Sequence, residues 1–344
     1  MKGRLPGCSP WQTSFSRRSF DFIPSLSYNS VKINNLQRYL FAMSNSTKWF
    51  LGILLGLAVI TAGITFVIIA ALSSSSERTE TVRSGSGGKI AVVDLKGEIL
   101  SSEEIVRQVK KYREDRSVQA ILLHIDSPGG AVVPSQEMYE EVRKTRDGGK
   151  PVVVSMGSLA ASGGYYVACG ASRLVANKGT LTGSIGVIST FLQMEEALNK
   201  LGLGFKVIKS GKLKDAGIPA RKMTEDDQKY FQQLMDDVHK QFKQVVEKER
   251  NLSPARVREL ADGRVFTGEQ AVKLGLVDTI GTFEDAVAIA AVLAGITGEP
   301  TLVRVRRKQT MFDVLFNDAA ESVKNLRQEL LQLPVLSYRY PGPH

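Results

Sequence analysis

The chain has 344 residues, of which 43% are hydrophobic and 23% are charged. These values are typical of globular proteins, and they exclude collagen-like and wholly disordered chains. The formal net charge of +10 is unevenly distributed, because seven basic residues and only one acidic residue lie in positions 1–48. The sequence has no motif of a nucleic-acid-binding module and no interleaved aromatic and basic residues, so we expect no nucleic acid partner.

A run without charged residues, WFLGILLGLAVITAGITFVIIAAL, occupies residues 49–72. As a helix it is long enough to cross a bilayer core of about 30 Å, and it exceeds the roughly 7–15 apolar residues of a cleaved signal sequence. A buried helix of a soluble protein would carry a polar face, which this run lacks. We therefore predict a single transmembrane helix, with cleavage near Ala70 and Ala71 as an alternative.

The basic tail of residues 1–48 precedes the predicted transmembrane helix, and a stretch of mixed charge follows it. The positive-inside rule then places the N-terminus in the cytoplasm and the residues after 72 on the extracytoplasmic side of the cell membrane. The residues before Met43 show neither helical nor strand periodicity. Met43 is therefore an alternative start of the protein.

Residues 73–88 are rich in serine and glycine and are expected to form a flexible linker. From residue 89 to residue 300, short apolar runs alternate with stretches that have apolar residues at helical spacing. This alternation predicts an α/β domain with a parallel sheet and crossover helices. Residues 301–344 are expected to form a C-terminal extension, with a helix at about 311–333.

Several elements of this α/β domain can be assigned from the pattern alone. A long amphipathic helix is expected to begin at Thr224, which is a suitable N-cap and is followed by acidic residues in the first turn. The expected strands have the sequences KIAVVDLKGEI, QAILLHID, PVVVSMG, SRLVANK and GFKVIKS.

Two glycines follow a buried strand in ILLHIDSPGG, residues 121–130. Because glycine has no side chain, backbone N–H groups here can face a bound molecule, and the Gly130 amide is a candidate for stabilising an oxyanion. An ordinary strand-to-helix turn would also use the sequence Pro-Gly-Gly.

A serine with small neighbours lies in SLAASGGYYVACG, where Ser162 is flanked by Ala160, Ala161, Gly163 and Gly164. Small neighbours let a substrate backbone come close, and a helix that starts here would favour negative charge near the serine. Alternatively, the small residues pack a helix tightly against the sheet.

Three lysines, Lys209, Lys212 and Lys214, lie in KSGKLKDAG. A lysine that acts as a base must be neutral near the working pH, so its pKa must fall from about 10.4 through burial or neighbouring charges. The residues themselves do not distinguish among the three.

Five motifs together resemble those of the SppA-type signal peptide peptidases, which form peptidase family S49. In chain order they are SPGG, AASGGYYVA, TGSIGVI, SGKLKDAG and DGRVFTGEQAVKLGLVD. The resemblance covers roughly residues 89–295 and implies a ClpP/crotonase-like fold. It also implies Ser162 as the nucleophile and Lys214 as the general base. Ser184 would orient the lysine, and Gly130 would supply an oxyanion-hole amide.

The resemblance further implies a short-form, membrane-anchored endopeptidase that degrades cleaved signal peptides and other peptides at the membrane without a metal or cofactor. Such proteins form homo-oligomeric rings in which the serine and the lysine of one site come from adjacent subunits. Two other functions remain as alternatives, a crotonase-type acyl-CoA enzyme and a non-catalytic membrane scaffold. Neither alternative predicts labelling of Ser162 by a serine-directed inhibitor.

The three histidines offer a competing catalytic arrangement. His124 and Asp126 lie two residues apart on a strand, but an acid so placed holds an imidazole poorly, so we expect His124 to be an ordinary hydrogen-bonded residue. His239 is expected to be solvated on the long helix, and the third histidine is the last residue. Cys8 and Cys169 lie on opposite sides of the predicted membrane and should not pair, and no zinc-binding pattern is present.

Overall fold

The computed structural model describes residues 44–73, 78–306 and 337–340. The chain divides into two compact units, Met1–Ser74 and Ser75–His344. Most of the predicted basic tail, including Met43 and Cys8, lies outside the described residues.

The described part of the first unit is one helix, α1 (Asn45–Ser73). Its first 23 residues have a mean hydropathy of 2.4, and they would extend about 35 Å at the usual rise per residue. Large apolar side chains such as Trp49 and Ile53 are exposed. Within the described residues, α1 is the one helix long and apolar enough to cross a membrane, in agreement with the predicted N-terminal apolar helix.

The second unit is a mixed α/β structure. Its strands are β1 (Arg78–Arg83), β2 (Lys89–Lys96), β3 (Val118–Ser127), β4 (Gly129–Ala131), β5 (Val152–Ala161), β6 (Arg173–Ala176), β7 (Leu181–Gly183), β8 (Val265–Thr267), β9 (Thr279–Ile280), β10 (Thr301–Arg306) and β11 (Ser337–Arg339). Its helices are α2 (Glu103–Glu114), α3 (Val132–Asp147), α4 (Gly163–Ala168), α5 (Glu195–Lys200), α6 (Glu225–Arg250), α7 (Pro254–Leu260), α8 (Gly268–Lys273) and α9 (Phe283–Leu293).

The main sheet has the strand order β1-β10-β2-β3-β5-β6-β9, and β7 joins it by pairing with β5 and β8. The pairs are parallel except for β1 with β10 and β7 with β8. A separate two-stranded sheet joins β11 to β4. The predicted α/β fold with a mostly parallel sheet is confirmed.

Strand β3 explains why the sheet is covered on both faces. Its side chains alternate, so that Ile121, Leu123 and Ile125 face one core and Ala120 and Leu122 face the other. The first core contains residues of α2, α3, α4 and α6, and the second is covered by α9. A strand buried on both faces reads as a continuous apolar run, and this is the pattern of QAILLHID.

The expected flexible linker differs from the structure in its second half. Residues 78–83 form β1, which pairs with β10 and places Thr81 opposite Val303. The glycines that follow permit a close approach: Gly87 N donates to Glu299 O at 2.7 Å, and a Cβ on Gly85 would lie 2.2 Å from the same oxygen. The glycines that suggested flexibility instead serve close backbone packing here.

Two further expectations differ from the structure. The sheet continues into the expected C-terminal extension, because β10 pairs in parallel with β2. The stretch GFKVIKS is not a strand: it has no regular structure, and Ile208 is 92% exposed. The helix expected at about 311–333 lies outside the described residues.

The long helix α6 begins as predicted, with Thr224 as its N-cap. The Thr224 side chain accepts a hydrogen bond from Asp227 N, and the Asp227 side chain accepts one from Thr224 N, which completes a capping box. Phe242 and Val246 of α6 are fully buried in the first core. This packing brings α6 against α4, the helix that follows Ser162.

Candidate active site

Ser162 lies between the end of β5 and the start of α4. Its backbone angles are φ 52° and ψ −114°, in a region that residues with a Cβ seldom adopt. Two hydrogen bonds of 2.8 Å hold it, from Ser162 N to Gly183 O and from Tyr166 N to Ser162 O. A strained backbone that is held from both sides is typical of functional sites.

The Ser162 hydroxyl is buried and has no hydrogen-bond partner among the described residues. The whole residue is only 1% exposed. A buried hydroxyl without a partner is unfavourable, so its presence calls for a functional reason. A Cβ on Gly163 would lie 2.6 Å from the Ser135 hydroxyl oxygen, so this small neighbour serves tight packing of α4, here against α3.

The backbone of β4 is fixed by Ile99. Ile99 N donates to Gly129 O at 2.8 Å, and Ala131 N donates to Ile99 O at 2.7 Å. Since successive backbone groups of a strand point to opposite sides, the Gly130 N–H points away from Ile99 and towards its partner in register, Tyr338. A Cβ on Gly130 would lie 2.1 Å from Ile99 O, so this position requires glycine.

Strand β11 lies between β4 and Ile188. Ser337 N donates to Ile188 O at 3.1 Å, and Ile188 N donates to Ser337 O at 3.0 Å. The carbonyl oxygen of Tyr338 lies against the backbone beside the candidate nucleophile: a Cβ on Gly129 would be 2.0 Å from this oxygen, and one on Gly163 would be 3.1 Å from it. A short extended peptide of the same chain thus lies next to Ser162.

The Tyr338 side chain lies in an aromatic cluster of the first core. Its ring stacks on Tyr166 with centroids 5.3 Å apart and lies 4.8 Å from Phe242. Its hydroxyl donates to Val238 O at 3.1 Å, and the residue is fully buried. Sequence reasoning missed this contact; the one signal was a short aromatic stretch, SYRY, between prolines.

Removing β11 should uncover the candidate nucleophile. In a chain that ends after residue 336, we expect Ser162 to react at least about tenfold faster with a small serine-directed phosphonate, because the strand beside it is absent. Intact-mass spectrometry over time measures the rate. A chain that ends after Tyr340 keeps β11 and is the matched control. Equal rates in both chains would contradict the covering role of β11.

Ser184 is close to Ser162 through the backbone, since it directly follows Gly183, whose carbonyl accepts from Ser162 N. It too has a positive φ, of 48°, and it is buried. Its backbone N–H donates to Arg264 O at 2.9 Å, so the DGRV stretch supports it. The structure thus brings together Ser162, Ser184 and Gly130.

The three candidate lysines differ in their partners. Lys209 Nζ is 2.5 Å from Asp215, and Lys212 Nζ is 2.5 Å from Asp226. Lys214 is exposed and has no ion-pair partner in the part of the chain that the structure describes. The hydrogen bond and charge of Asp226 raise the pKa of Lys212, so Lys212 is a poor candidate for the base. In the described residues no hydrogen bond links Lys214 to Ser162.

The histidines lie apart from this site. His124 Nδ1 is hydrogen-bonded to Ser155 O at 3.1 Å, and its ring packs edge-on against Phe283 of α9, on the opposite face of the sheet from α4. Asp126 accepts a hydrogen bond from Leu159 N at 3.0 Å. His239 is half-buried rather than solvated, and burial lowers its pKa. The third histidine lies outside the described residues.

Two other kinds of site find no support here. Burial raises the pKa of the Cys169 thiol to about 12, so this cysteine is a neutral core residue and a poor nucleophile. Among the described residues, no group of three or more His, Cys, Asp or Glu side chains could hold a metal ion.

Comparison with known proteins supports the family resemblance of the sequence motifs. Residues 144–297 match the model of peptidase family S49. The chain is 46% identical to a putative protease of Synechocystis over 60% of this chain and 75% of that protein. It is 41% identical to a putative signal peptide peptidase SppA of Enterococcus faecium over 54% of each, and 35% identical to Protease 4 of Salmonella typhi over 72% of this chain.

The coverage of these relatives is uneven. The chain spans 54% of the Enterococcus protein and 41% of the Salmonella protein, but three quarters of the Synechocystis protein. The family model begins inside α3 and ends beyond α9, so it includes Ser162, Ser184 and Lys214. The chain therefore belongs to peptidase family S49 and is a protease of the SppA type.

Proposed function

We propose that this chain is a membrane-anchored serine endopeptidase in which Ser162 is the nucleophile and Lys214 the general base. The observation that carries the proposal is the unpartnered Ser162 hydroxyl next to an extended segment of the same chain, β11, which pairs with β4. A substrate would take the place of β11 and pair with Gly130 as an added strand. The aromatic cluster that surrounds the Tyr338 side chain would then favour apolar substrates, as cleaved signal peptides are.

The reaction would proceed by acyl transfer. The neutral amine of Lys214 takes the hydroxyl proton as Ser162 Oγ attacks the substrate carbonyl carbon. The Gly130 N–H stabilises the resulting oxyanion, and Gly163 N–H is a second donor because the first amides of a helix lack acceptors within it. The lysine ammonium then gives its proton to the leaving amine, and water hydrolyses the acyl-enzyme with Lys214 again as base. Ser184 would orient the lysine amine.

The base would come from a neighbouring subunit in a homo-oligomeric ring. Lys214 follows segment 201–213, whose large apolar side chains are exposed; these are Leu201, Leu203, Phe205, Val207, Ile208 and Leu213. An exposed apolar stretch of this kind is typical of a protein interface. A second copy of the chain, docked on this segment, would bring Lys214 to its own Ser162.

Co-assembly of two inactive variants tests whether Ser162 and Lys214 act together and whether they come from neighbouring subunits. If the Ser162→Ala and Lys214→Ala chains are co-expressed in equal amounts, about one quarter of the sites in a ring combine an intact serine with an intact lysine from the next subunit. We therefore expect about one quarter of wild-type peptide hydrolysis from the mixed ring and none from either variant alone. No recovery from isolated mixed rings would contradict the shared site.

The charge-free run of residues 49–72 within helix α1 supports a single-pass anchor in the cell membrane, and the basic tail before it supports a cytoplasmic N-terminus. The catalytic unit would then lie on the extracytoplasmic side. A periplasmic-type reporter fused after residue 344 should be active, whereas a cytoplasm-dependent reporter at the same point should be silent. The reverse pattern would contradict this orientation.

A further inference from the structure

The segment that carries Lys214 has no helix or strand, yet it is held firmly. Residues 212–217 form consecutive turns in which Lys214 N donates to Gly211 O at 3.1 Å and Ala216 N donates to Leu213 O at 3.1 Å. Local turns alone leave such a segment free to open. The residue after the lysine, Asp215, supplies the further attachment.

Asp215 accepts hydrogen bonds from two cationic side chains. Arg221 donates from Nε to one carboxylate oxygen and from Nη2 to the other, both at 3.0 Å, and Nη2 also lies 3.2 Å from the Asp215 backbone oxygen. Lys209 Nζ donates at 2.5 Å. The Asp215 side chain is 8% exposed. A two-pronged guanidinium contact fixes both the position and the orientation of the carboxylate.

Arg221 has a second partner that is part of α6. Its Nη1 donates to Asp227 at 2.5 Å, and the Asp227 side chain is 2% exposed. Asp227 is the residue that completes the capping box with Thr224. The guanidinium group therefore connects the turn next to Lys214 with the first turn of a helix that is packed into the core. We call Asp215, Arg221 and Asp227 the Asp215 clamp.

We propose that Arg221 is a positioning residue for the catalytic lysine, and that it acts by holding Asp215 and so the turn that presents the Lys214 amine. The inference rests on the proposed function, because it assumes that Lys214 is the base. Lys209 and Lys212 already have acidic partners, Asp215 and Asp226. Among the described residues, Lys214 is therefore the lysine of this segment that has no acidic partner.

The clamp makes a specific prediction about pH dependence. Lys214 is exposed in the single chain, and under the proposed function its amine enters the buried surroundings of Ser162 only when a second copy docks. A lysine in a dry site loses its proton at a lower pH than a lysine in water. Without the clamp that entry is less complete, so the acidic limb of the kcat profile should move to higher pH. Arg221 and Lys209 hold the pKa of Asp215 well below its usual range, so Asp215 itself does not titrate in this region.

The test compares Arg221→Met, Asp215→Asn and the double variant in full-length protein in detergent micelles. We expect each to lower kcat by about 10²-fold with a much smaller change in KM, since a displaced catalytic group affects the transition state most. The double variant should be little worse than Arg221→Met alone, because both substitutions remove the same contact between Arg221 and Asp215. Arg221→Lys should recover the rate only in part, since an ammonium cannot make the two-pronged contact.

Two controls separate positioning from general stability. Lys212→Met removes the exposed ion pair with Asp226 on the same segment and should leave the rate and the pH profile unchanged. Ser253→Ala removes the N-cap of α7 and should lower the unfolding temperature without moving the acidic limb. Wild-type kcat and an unmoved limb in Arg221→Met would overturn the positioning role. Wild-type activity in Lys214→Ala would instead overturn the proposed base, so the two failures are distinguishable.

Discussion

Replacement of Lys214 by alanine is expected to lower peptide hydrolysis by about 10⁴-fold, the upper range for loss of a general base. The reason is that the Ser162 hydroxyl is a weak nucleophile until a base takes its proton. Hydrolysis of an apolar fluorogenic peptide by the full-length protein in micelles measures the loss. Lys212→Ala is the matched control, because its side chain is already paired with Asp226, and it should keep full activity.

A second substitution at the same position distinguishes a base from a positive charge. Lys214→Arg keeps the charge, but a guanidinium group does not lose its proton in proteins. We therefore expect Lys214→Arg to be as inactive as Lys214→Ala at every pH. Near-normal hydrolysis by Lys214→Arg would mean that the residue acts through its charge, and the proposed role as a base would be wrong.

Replacement of Ser162 is expected to have the largest effect on catalysis and an opposite effect on stability. Ser162→Gly should lower the rate of hydrolysis by about 10⁶-fold, as loss of the nucleophile does in other serine peptidases. The same change should raise the free energy of unfolding by about 1 kcal/mol, because glycine adopts a positive φ without strain and leaves no unpartnered hydroxyl. Thermal or denaturant unfolding measures the second effect.

Ser162→Ala provides the comparison for this pair of effects. It removes the hydroxyl but keeps a Cβ at φ 52°, so it should be equally inactive and less stable than Ser162→Gly. Asn251 also has a positive φ, of 51°, at the end of α6, so Asn251→Gly is a control that should leave activity unchanged. If Ser162→Gly were less stable than wild type, the interpretation of strain at the nucleophile would be wrong.

Much of the fold could be predicted from local patterns. The strand QAILLHID is apolar on both faces and is buried on both, and Thr224 with acidic residues after it marks the start of α6. Local sequence patterns did not predict strands whose partners lie far away in the sequence. Residues 78–83 look like a linker until β10 is known to lie beside them, and GFKVIKS has the composition of a strand but has no strand beside it among the described residues.

The site was predictable in part for a similar reason. Gly130 and Ser162 follow strands, and parallel strands end at the same edge of a sheet, so their proximity follows from the alternating pattern. The role of Lys214 came from family resemblance, because the sequence does not reveal that Lys209 and Lys212 are paired. The contact of β11 with Gly130 joins residues more than 200 positions apart, and no local pattern indicates it.

The central claim is that Ser162 is a nucleophile activated by Lys214. The most direct measurement is covalent labelling of the full-length protein with a serine-directed phosphonate, followed by peptide mapping in wild type and in Lys214→Arg. We predict that the label is on Ser162 in wild type, and that labelling is slowed by about 10²-fold or more in Lys214→Arg, because the hydroxyl then has no base. A label on another residue, or equally fast labelling of Ser162 in both proteins, would contradict the account.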